Sequence, residues 1–274
     1  MSTALHHRLR RVESRQNALV KALRASFRSG QPGEDGYAAI EGTRILEEAI
    51  RSGLRFRAVF FRQSAEAQAG RLLPQLAAEV ETLLLPDDVF AGAVATETPQ
   101  GVAALVQFKD FDLDDVLRPP HPLVVVLAGV QDPGNLGTVV RSAEAFGASG
   151  VLLAEKTVSR FNPKAVRASA GSIFRIPVVA VKLAEAATKL REHGLRLVAT
   201  SSHQGTPLEK AGTDLAGAAA LFLGSEGAGL PHQALALMDE VLVIPHSPRV
   251  ESLNAGMAAS ILLYEAARQR RAKP

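Results

Sequence analysis

Six short runs of apolar residues, from residue 123 onward, constrain the fold more than any other feature. In order they are LVVVLAG, GVLLA, IPVVAV, LRLVAT, ALFLG and VLVIP. Strands that are apolar along their whole length are typical of parallel sheets covered on both faces. Helical spacing near 135–147, 183–193, 231–238 and 252–271 indicates the covering helices. The sequence therefore predicts an α/β domain with a mostly parallel sheet and a site beyond the carboxyl ends of its strands.

The first part of the chain shows the same alternation on a smaller scale. A helix is predicted over VESRQNALVKALRASF, followed by the strands YAAIEG, FRAVFF, TLLLP and VAALVQF. The helices TRILEEAIRSG, 65–80 and PDDVFAGA lie between these strands. Thr43 is the expected N-cap of TRILEEAIRSG, and Gly53 follows its end. This pattern predicts a small α/β domain.

The acidic, proline-rich stretch KDFDLDDVLRPPHP separates these two parts and has the composition of a linker. A length of 274 residues also fits two domains better than one. We therefore predict an N-terminal domain over 1–110, a linker over 111–121 and a C-terminal domain over 122–274.

The composition excludes several classes of protein. The chain has no cysteine, which rules out disulfides, thiolate metal sites and cysteine nucleophiles. Apolar residues make up 47% and charged residues 22%, as in ordinary soluble globular proteins. No apolar run is long enough to span a bilayer, and MSTALHHRLRRVESRQ lacks the apolar core of a signal peptide. We therefore expect a cytoplasmic protein that does not bind membranes.

The net charge of +3 is unevenly distributed along the chain. The basic leader, residues 1–30, holds seven Lys or Arg against a single acid, whereas 76–121 holds two bases and nine acids. A basic arm suits phosphate contacts. A solvated leader without a ligand has the same composition, so both interpretations stay open.

The segment DPGNLGTVVRSAEAFGA, at 132–148, follows the first apolar run of the C-terminal domain. Its Pro133 and Gly134 suit a turn, and Asn135 can cap the helix that begins there. Arg141 and Glu144 are three residues apart and share the more polar helix face. By itself, the segment favours a capped structural helix with a surface arginine over a catalytic element.

Three later segments are further candidates for a functional site. LFLGSEGAGLP at 221–231 has close glycines that make backbone N–H groups available to a ligand, although a tight turn without a ligand has the same glycine pattern. FNPKAVRASAGSIFRIPVV at 161–179 places basic residues around small ones, as in an RNA-contacting loop or a solvated one. VLVIPHSPRVESLNAGMAASILLYEAARQRR at 241–271 joins a strand, a polar loop and a long helix, which by itself is an ordinary core helix.

Common catalytic motifs are absent. No Walker pattern or Rossmann glycine spacing follows the first strand, and no G-x-S-x-G elbow occurs. The seven histidines lack the H-E-x-x-H arrangement or another ligand spacing, so no metal site is predicted. His203 and His246 fall in predicted loops and are candidates for function, although satisfied surface histidines are the simpler interpretation.

The order of the four segments is more specific than any one of them. Together, over about 122–271, they resemble the SpoU (TrmH-like) family of SPOUT methyltransferases. IEGTRILEEAI resembles the substrate-binding domain that precedes the catalytic domain in many of these enzymes and is similar to a kink-turn-binding ribosomal protein. The resemblance implies S-adenosylmethionine as methyl donor and an RNA ribose 2′-hydroxyl as acceptor. It also implies a deep C-terminal trefoil knot and a homodimer formed through the C-terminal domain, with the active site at the subunit interface.

The resemblance also assigns site residues. Those expected around the cofactor are Thr200, Gly224, Ile244 and Leu253. Those expected near the reacting centre are Asn135, Arg141, Glu226, Ser252 and Asn254. Two departures are visible: Ser225 stands where many members have Asn, and AGMAAS replaces V-S-x-A-A-A after the SLN motif.

Several alternatives remain at this stage. Arg141 is either an unusually perturbed base or a cation that stabilises the developing alkoxide and orients a phosphate. Guanidinium resists deprotonation, which makes the role of base unusual.

Ribosomal RNA, of the large subunit (23S), is the expected acceptor because the separate N-terminal domain is usual in that branch of the family. A transfer-RNA methyltransferase, a non-catalytic RNA-binding relative and a nucleotide enzyme on a Rossmann sheet are the alternatives.

Overall fold

A computed structural model describes residues 8–94, 96, 98–202, 204–210, 214–225 and 229–272. The chain forms two compact units. The first holds the chain up to Lys109 together with Phe161–Phe174, and the second holds Asp110–Arg160 and the chain from Arg175 onward. The sequence assigns Phe161–Phe174 to the C-terminal domain, so this grouping is a difference from the predicted boundaries.

The first unit is built on a five-stranded mixed sheet. Its strands, in spatial order, are β1 (Leu9–Arg11), β4 (Glu81–Leu85), β3 (Arg55–Arg62), β5 (Val102–Gln107) and β2 (Ala38–Glu41). The pairs β1–β4 and β4–β3 are parallel, and the pairs β3–β5 and β5–β2 are antiparallel. The helices of this unit are α1 (Ala18–Ser29), α2 (Thr43–Arg51), α3 (Ala67–Leu72), α4 (Asp87–Ala91) and α7 (Pro163–Ala168).

Helix α1 begins later than its apolar spacing predicts. Asn17 caps it by accepting from the Leu19 N–H at 3.0 Å, and Gly30 ends it in the left-handed region. Val12, at the start of the predicted helix, donates its N–H to Leu84 O instead and prolongs the pairing of β1. Its side chain still reaches the core that Leu23 and Phe27 enter from the helix.

The basic leader forms part of the first unit from Arg8 onward. Arg8 donates to the carbonyls of Leu73 at 3.0 Å and Ala77 at 2.7 Å. Arg10 pairs with Glu81, and Arg15 pairs with Asp88. These three arginines therefore have hydrogen-bond or ion-pair partners within the unit, although Arg10 and Arg15 remain exposed.

Two other predicted helices differ in detail. The continuous helix expected over 65–80 is α3 flanked by 3₁₀ turns at Gln63–Ala65 and Leu73–Gln75, because Pro74 lacks the N–H that a longer α-helix requires. Helix α2 has Gly42, at φ 103°, as its N-cap, so the expectation for Thr43 was wrong. Thr43 is the first helical residue, and its hydroxyl donates to the Gln68 side chain.

The second unit has a seven-stranded sheet in which every pair is parallel. Its strands, in spatial order, are β10 (Thr206–Pro207), β12 (Glu240–Val243), β9 (Arg196–Ser201), β11 (Ala219–Leu223), β6 (Leu123–Leu127), β7 (Gly150–Leu153) and β8 (Val178–Ala180). Its helices are α5 (Leu113–Leu117), α6 (Pro133–Ala145), α8 (Leu183–Glu192), α9 (His232–Leu235) and α10 (Ala255–Ala272). The prediction of an α/β fold with a mostly parallel sheet is confirmed, and the knot stays a prediction.

The predicted linker contains α5, whose N-terminus is closed by reciprocal hydrogen bonds between Asp112 and Asp115. The adjacent strands β12, β9 and β11 end at Val243, Ser201 and Leu223, so the loops that follow them open at the same edge of the sheet. In the part of the chain that the structure describes, no helix is both long and apolar enough to cross a membrane.

Candidate active site at the carboxyl edge of the second sheet

A cavity of about 440 Å³ lies where β12, β9 and β11 end. Its volume falls in the range of small-molecule sites, roughly 300–1,000 Å³. Apolar side chains form one part of its wall: Leu223, Leu230, Leu235, Ile244 and Leu253. Hydroxyl groups form another: Thr200, Ser201, Ser202, Ser225 and Ser252. The combination suits a ligand with an apolar ring and several polar groups.

The four residues predicted to surround the cofactor all line this cavity. Thr200 and Ile244 come from the ends of β9 and β12, Gly224 follows β11, and Leu253 precedes α10. The Thr200 hydroxyl is 3.4 Å from Phe222 O and so lies between neighbouring strands. The structure thus brings together residues that are more than 50 positions apart in sequence.

A tight turn carries Gly224. Ser225 and Gly229 form an isolated antiparallel bridge across it. A Cβ added at Gly224 would lie 2.0 Å from the carbonyl carbon of Gly229, so only glycine fits there. Glu226, predicted to lie near the reacting centre, falls outside the described residues, as do Gly227 and the loop histidine His203.

His246 and Glu251 also line the cavity; the sequence favoured a satisfied surface histidine for His246 and did not single out Glu251. The Nδ1 of His246 lies 2.7 Å from Ile244 O. A carbonyl can only accept, so the ring donates from Nδ1–H in this contact. The position of His246 directly after the Ile244-Pro245 strand end was the signal that could have identified it.

Ser252 and Asn254 have different positions at the start of the last helix. Ser252 lines the cavity, whereas Asn254 is exposed and its Oδ1 accepts from the Met257 N–H at 3.2 Å. The Asn254 carbonyl accepts from Ala258. Asn254 therefore caps α10 in this structure, which fixes the direction of the SLN loop relative to the cavity.

The DPGNLG segment forms the start of α6 but does not line the cavity. Asp132 is the N-cap, since its Oδ1 accepts from the Asn135 N–H at 2.8 Å, so the assignment of the cap to Asn135 was wrong. Asn135 is buried with a relative exposure of 7%. Arg141 is exposed and has no ion-pair partner among the residues that the structure describes.

Helices α6 and α10 pack against each other. The hydroxyls of Ser142 and Ser260 are 2.7 Å apart, and the rings of Phe146 and Tyr264 meet edge to face with centroids at 5.8 Å. An added Cβ at Gly256 would lie 3.1 Å from the Thr138 side chain, which is why this contact needs small residues. The helix that carries Arg141 is thereby connected to the helix that follows the SLN loop.

The outer surface of α10 has large apolar side chains in contact with solvent. They are Met257, Ile261 and Tyr264, with relative exposures of 56%, 38% and 53%. Their spacing of four and three residues puts them on one side of the helix. Exposed apolar patches of this kind mark interaction surfaces.

The model of the SpoU rRNA Methylase family matches residues 122–264, more than half of the chain. The chain belongs to this family. The model of the MRM3-like substrate binding domain matches residues 17–104. Residues 122–264 of the SpoU match include every site residue that the resemblance assigned, and the first-unit helices α1 to α4 lie within the substrate-binding match.

Related proteins have names from the same family. A Bacillus subtilis protein named 23S rRNA (guanosine(2553)-2′-O)-methyltransferase RlmP is 31% identical over 256 residues, which is 93% of this chain and 98% of the relative. A Streptomyces viridochromogenes protein named 23S rRNA (uridine(2479)-2′-O)-methyltransferase is 30% identical over 241 residues, 86% of this chain and 84% of the relative.

A solved SpoU structure has the same fold. It is the SpoU methyltransferase AviRb from Streptomyces viridochromogenes in complex with the cofactor AdoMet, with a TM-score of 0.79 and 28% identity. The match covers 93% of this chain and all of that one. Among the described residues of this SpoU protein, no cluster of acidic or histidine side chains is placed to hold a metal ion.

Proposed function

We propose that this SpoU protein transfers a methyl group from S-adenosylmethionine to a ribose 2′-hydroxyl of ribosomal RNA, most specifically of the large-subunit (23S) RNA. One observation carries the proposal: Thr200, Gly224, Ile244 and Leu253, which the sequence resemblance assigns to the cofactor, converge on one cavity. The names of the relatives that match almost the whole chain support the acceptor.

The cavity residues fit S-adenosylmethionine. Ile244 and Leu253 supply apolar walls for the adenine ring, and Thr200 and Ser252 supply hydroxyls for polar groups. The tight turn at Gly224 brings backbone N–H and C=O groups to the cavity wall without a side chain in the way. When bound there, the cofactor supplies an electrophilic methyl group on a sulfonium.

On the substrate side, we assign Arg141 the role of a cation that holds the RNA and stabilises negative charge developing on the ribose oxygen. Guanidinium stays protonated in proteins, so this role needs no unusual proton loss. The exposure of Arg141 and its lack of an ion pair among the described residues leave its charge available. Asn135 is assigned to the same side, where it would orient the ribose, and Glu226 would orient a partner cation.

We propose that the active protein is a homodimer through α10. Arg141 is not among the residues that line the cavity of its own chain, and a second copy could bring its Arg141 to the cavity from the substrate side. The apolar stripe of Met257, Ile261 and Tyr264 supplies a surface for that contact. Cytoplasmic location is part of the proposal because ribosomal RNA is the acceptor.

The first unit is proposed to bind the RNA outside the reacting nucleotide. The match to a substrate-binding domain supports this role. Arg11, Lys21 and Arg28 are exposed and have no ion pair among the described residues, unlike Arg10 and Arg15. These three exposed side chains are the leader cations that we propose for phosphate contacts.

The test is methyl transfer from labelled S-adenosylmethionine to ribosomal RNA and transfer RNA taken from cells without this gene, followed by mapping of 2′-O-methyl positions. We expect a specific position in large-subunit RNA to be labelled. Arg141→Ala should lower the rate by about 100-fold or more, as for other donors that stabilise a developing oxyanion. Lys189→Ala, an exposed cation on α8, is the matched control and should retain full activity.

Two results would overturn the proposal. Tight RNA binding without measurable affinity for S-adenosylmethionine would identify a non-catalytic RNA-binding relative. Labelling of transfer RNA alone would show that transfer RNA, and not ribosomal RNA, is the acceptor. Full activity of Arg141→Ala would remove the role assigned to Arg141 but leave the reaction.

A further inference from the structure

Arg175 binds both carboxylate oxygens of Glu144. Its Nε lies 2.6 Å from Oε1 and its Nη2 lies 2.9 Å from Oε2. This is the two-pronged geometry in which arginine holds a carboxylate most firmly. The two side chains keep relative exposures of only 36% and 32%, so the pair is partly shielded from solvent.

Glu144 is also a neighbour of Arg141 on α6. Residues three apart on a helix lie next to each other on its surface, and opposite charges at that spacing attract. Arg141 nevertheless has no ion pair among the described residues, because the carboxylate that could take it is held by Arg175. Glu144 therefore pairs with Arg175 rather than with Arg141.

The backbone that follows Arg175 is held by the sheet. The residue directly precedes Ile176 and Pro177, and Pro177 O accepts the Val151 N–H at 2.9 Å. Val151 in turn pairs with Val178 in the parallel register of β7 and β8. Arg175 therefore lies just before the edge strand β8, close to the buried Val178, whereas Arg141 lies on an exposed helix face.

We propose that Arg175 is a positioning residue for the methyl-transfer site: it occupies Glu144 and so leaves the Arg141 guanidinium unpaired and available to the RNA. The inference rests on the proposed function in one respect, the role of Arg141. If Arg175 is removed, Glu144 can pair with Arg141, and its negative charge opposes an approaching phosphate.

The experiment compares Arg175→Ala, Glu144→Ala and the double variant by kcat and KM for RNA. We expect Arg175→Ala to lower kcat/KM for RNA about two- to fivefold, in keeping with the modest strength of ion pairs at helix surfaces. Affinity for S-adenosylmethionine should be unchanged. The double variant should recover to within about twofold of Glu144→Ala, because no carboxylate is left to take Arg141.

The double variant alone does not separate positioning from a structural role, because removing Glu144 also relieves an unpaired carboxylate; the unchanged affinity of Arg175→Ala for S-adenosylmethionine makes that separation. Arg196→Ala is the matched control. The Arg196 guanidinium pairs with Glu240 at 2.8 Å, and both residues lie at the first positions of β9 and β12, at the other edge of the sheet from the cavity. That variant should keep kcat/KM, and Arg175→Lys should fall between Arg175→Ala and the unaltered protein.

A crystal structure of Arg175→Ala provides a readout that does not need the reaction. We expect a Glu144 oxygen within ion-pair distance of Arg141 there. A Glu144 that stays away from Arg141, or a double variant no better than Arg175→Ala, overturns the positioning role. Absence of methyl transfer by the unaltered protein would instead overturn the proposed function, and the crystal structure would still decide the destination of Glu144.

Discussion

Ser225 and Gly229 exchange two backbone hydrogen bonds across the turn that follows β11, at 3.2 Å from Ser225 N to Gly229 O and at 2.9 Å in the other direction. This reciprocal pair closes the turn on itself and brings its backbone against Gly224. Both residues line the cavity together with Gly224. This part of the cavity wall therefore depends on a backbone contact as well as on the side chains around it.

A methyl group at position 224 should open this turn. In Gly224→Ala the new Cβ would lie 2.0 Å from Gly229 C and 2.2 Å from Leu230 N, which are backbone atoms that cannot turn aside. We expect affinity for S-adenosylmethionine to fall about tenfold or more, since overpacking costs typically 1–3 kcal/mol and here it deforms the wall itself. Calorimetric titration of the cofactor measures the change.

Gly217→Ala is the matched control for this prediction. An added Cβ there would lie 4.0 Å from a carboxylate oxygen of Asp214, which is ordinary contact. That variant should bind the cofactor as the unaltered protein does. Equal affinity in Gly224→Ala and Gly217→Ala, with both folded by circular dichroism, would show that the turn does not shape the site.

Continuous apolar runs predicted the parallel sheet, because strands such as Leu123–Leu127 that are apolar along their whole length are typical of parallel sheets covered on both faces. The cavity residues needed the family resemblance. Thr200 and Leu253 are 53 positions apart, and no local pattern indicates that β9 and the SLN loop meet at one cavity. His246 lacked a motif of its own, and only its place after the end of β12 connects it with the others.

The leader shows where composition failed to predict structure. A run of basic residues is compatible with a solvated arm, but Arg8, Arg10 and Arg15 find acceptors more than 60 positions later in the chain. Such partners depend on the tertiary fold. Likewise, proline chemistry could have predicted the break at Pro74, whereas the capping of α6 by Asp132 instead of Asn135 required the actual geometry.

Arg8 is expected to stabilise the first unit. Its guanidinium donates to Leu73 O and Ala77 O, and hydrogen bonds from charged groups are worth roughly 1.5–3 kcal/mol. Arg8→Ala should therefore lower the free energy of unfolding by about 1–2 kcal/mol, measured by urea denaturation, after allowance for its partial exposure. Arg28→Ala should leave that free energy within about 0.5 kcal/mol, as for other exposed surface positions.

Arg28 is expected to act on RNA instead. Arg28→Ala should weaken RNA binding and reduce its salt dependence, because one phosphate contact and its released counterion are lost. A salt slope that matches the unaltered protein would argue against a phosphate contact at Arg28. Equal stability of the Arg8→Ala and Arg28→Ala variants would contradict the division of the leader into structural and RNA-facing arginines.

The apolar stripe on α10 gives a test of the dimer. Ile261→Glu places a charge in the middle of the exposed stripe, between Met257 and Tyr264, where it would be buried by a second copy. We expect a monomer by light scattering, with cofactor binding reduced less than methyl transfer. Leu237→Glu is the matched control, since its relative exposure of 36% is close to the 38% of Ile261. A dimer that persists in Ile261→Glu would move the interface elsewhere.

His246 supplies the last prediction. Its Nδ1–H donates to Ile244 O, which ties the loop after Pro245 to the cavity wall. Loss of one such hydrogen bond costs about 0.5–1.5 kcal/mol, so His246→Ala should weaken S-adenosylmethionine binding about two- to tenfold in calorimetry. His193→Ala removes the same type of bond, from Nδ1 to Lys189 O at 2.9 Å, at the end of α8 and away from the cavity. That control should bind normally; an equal loss in both variants would mean that the effect is general destabilisation and that His246 does not order the site.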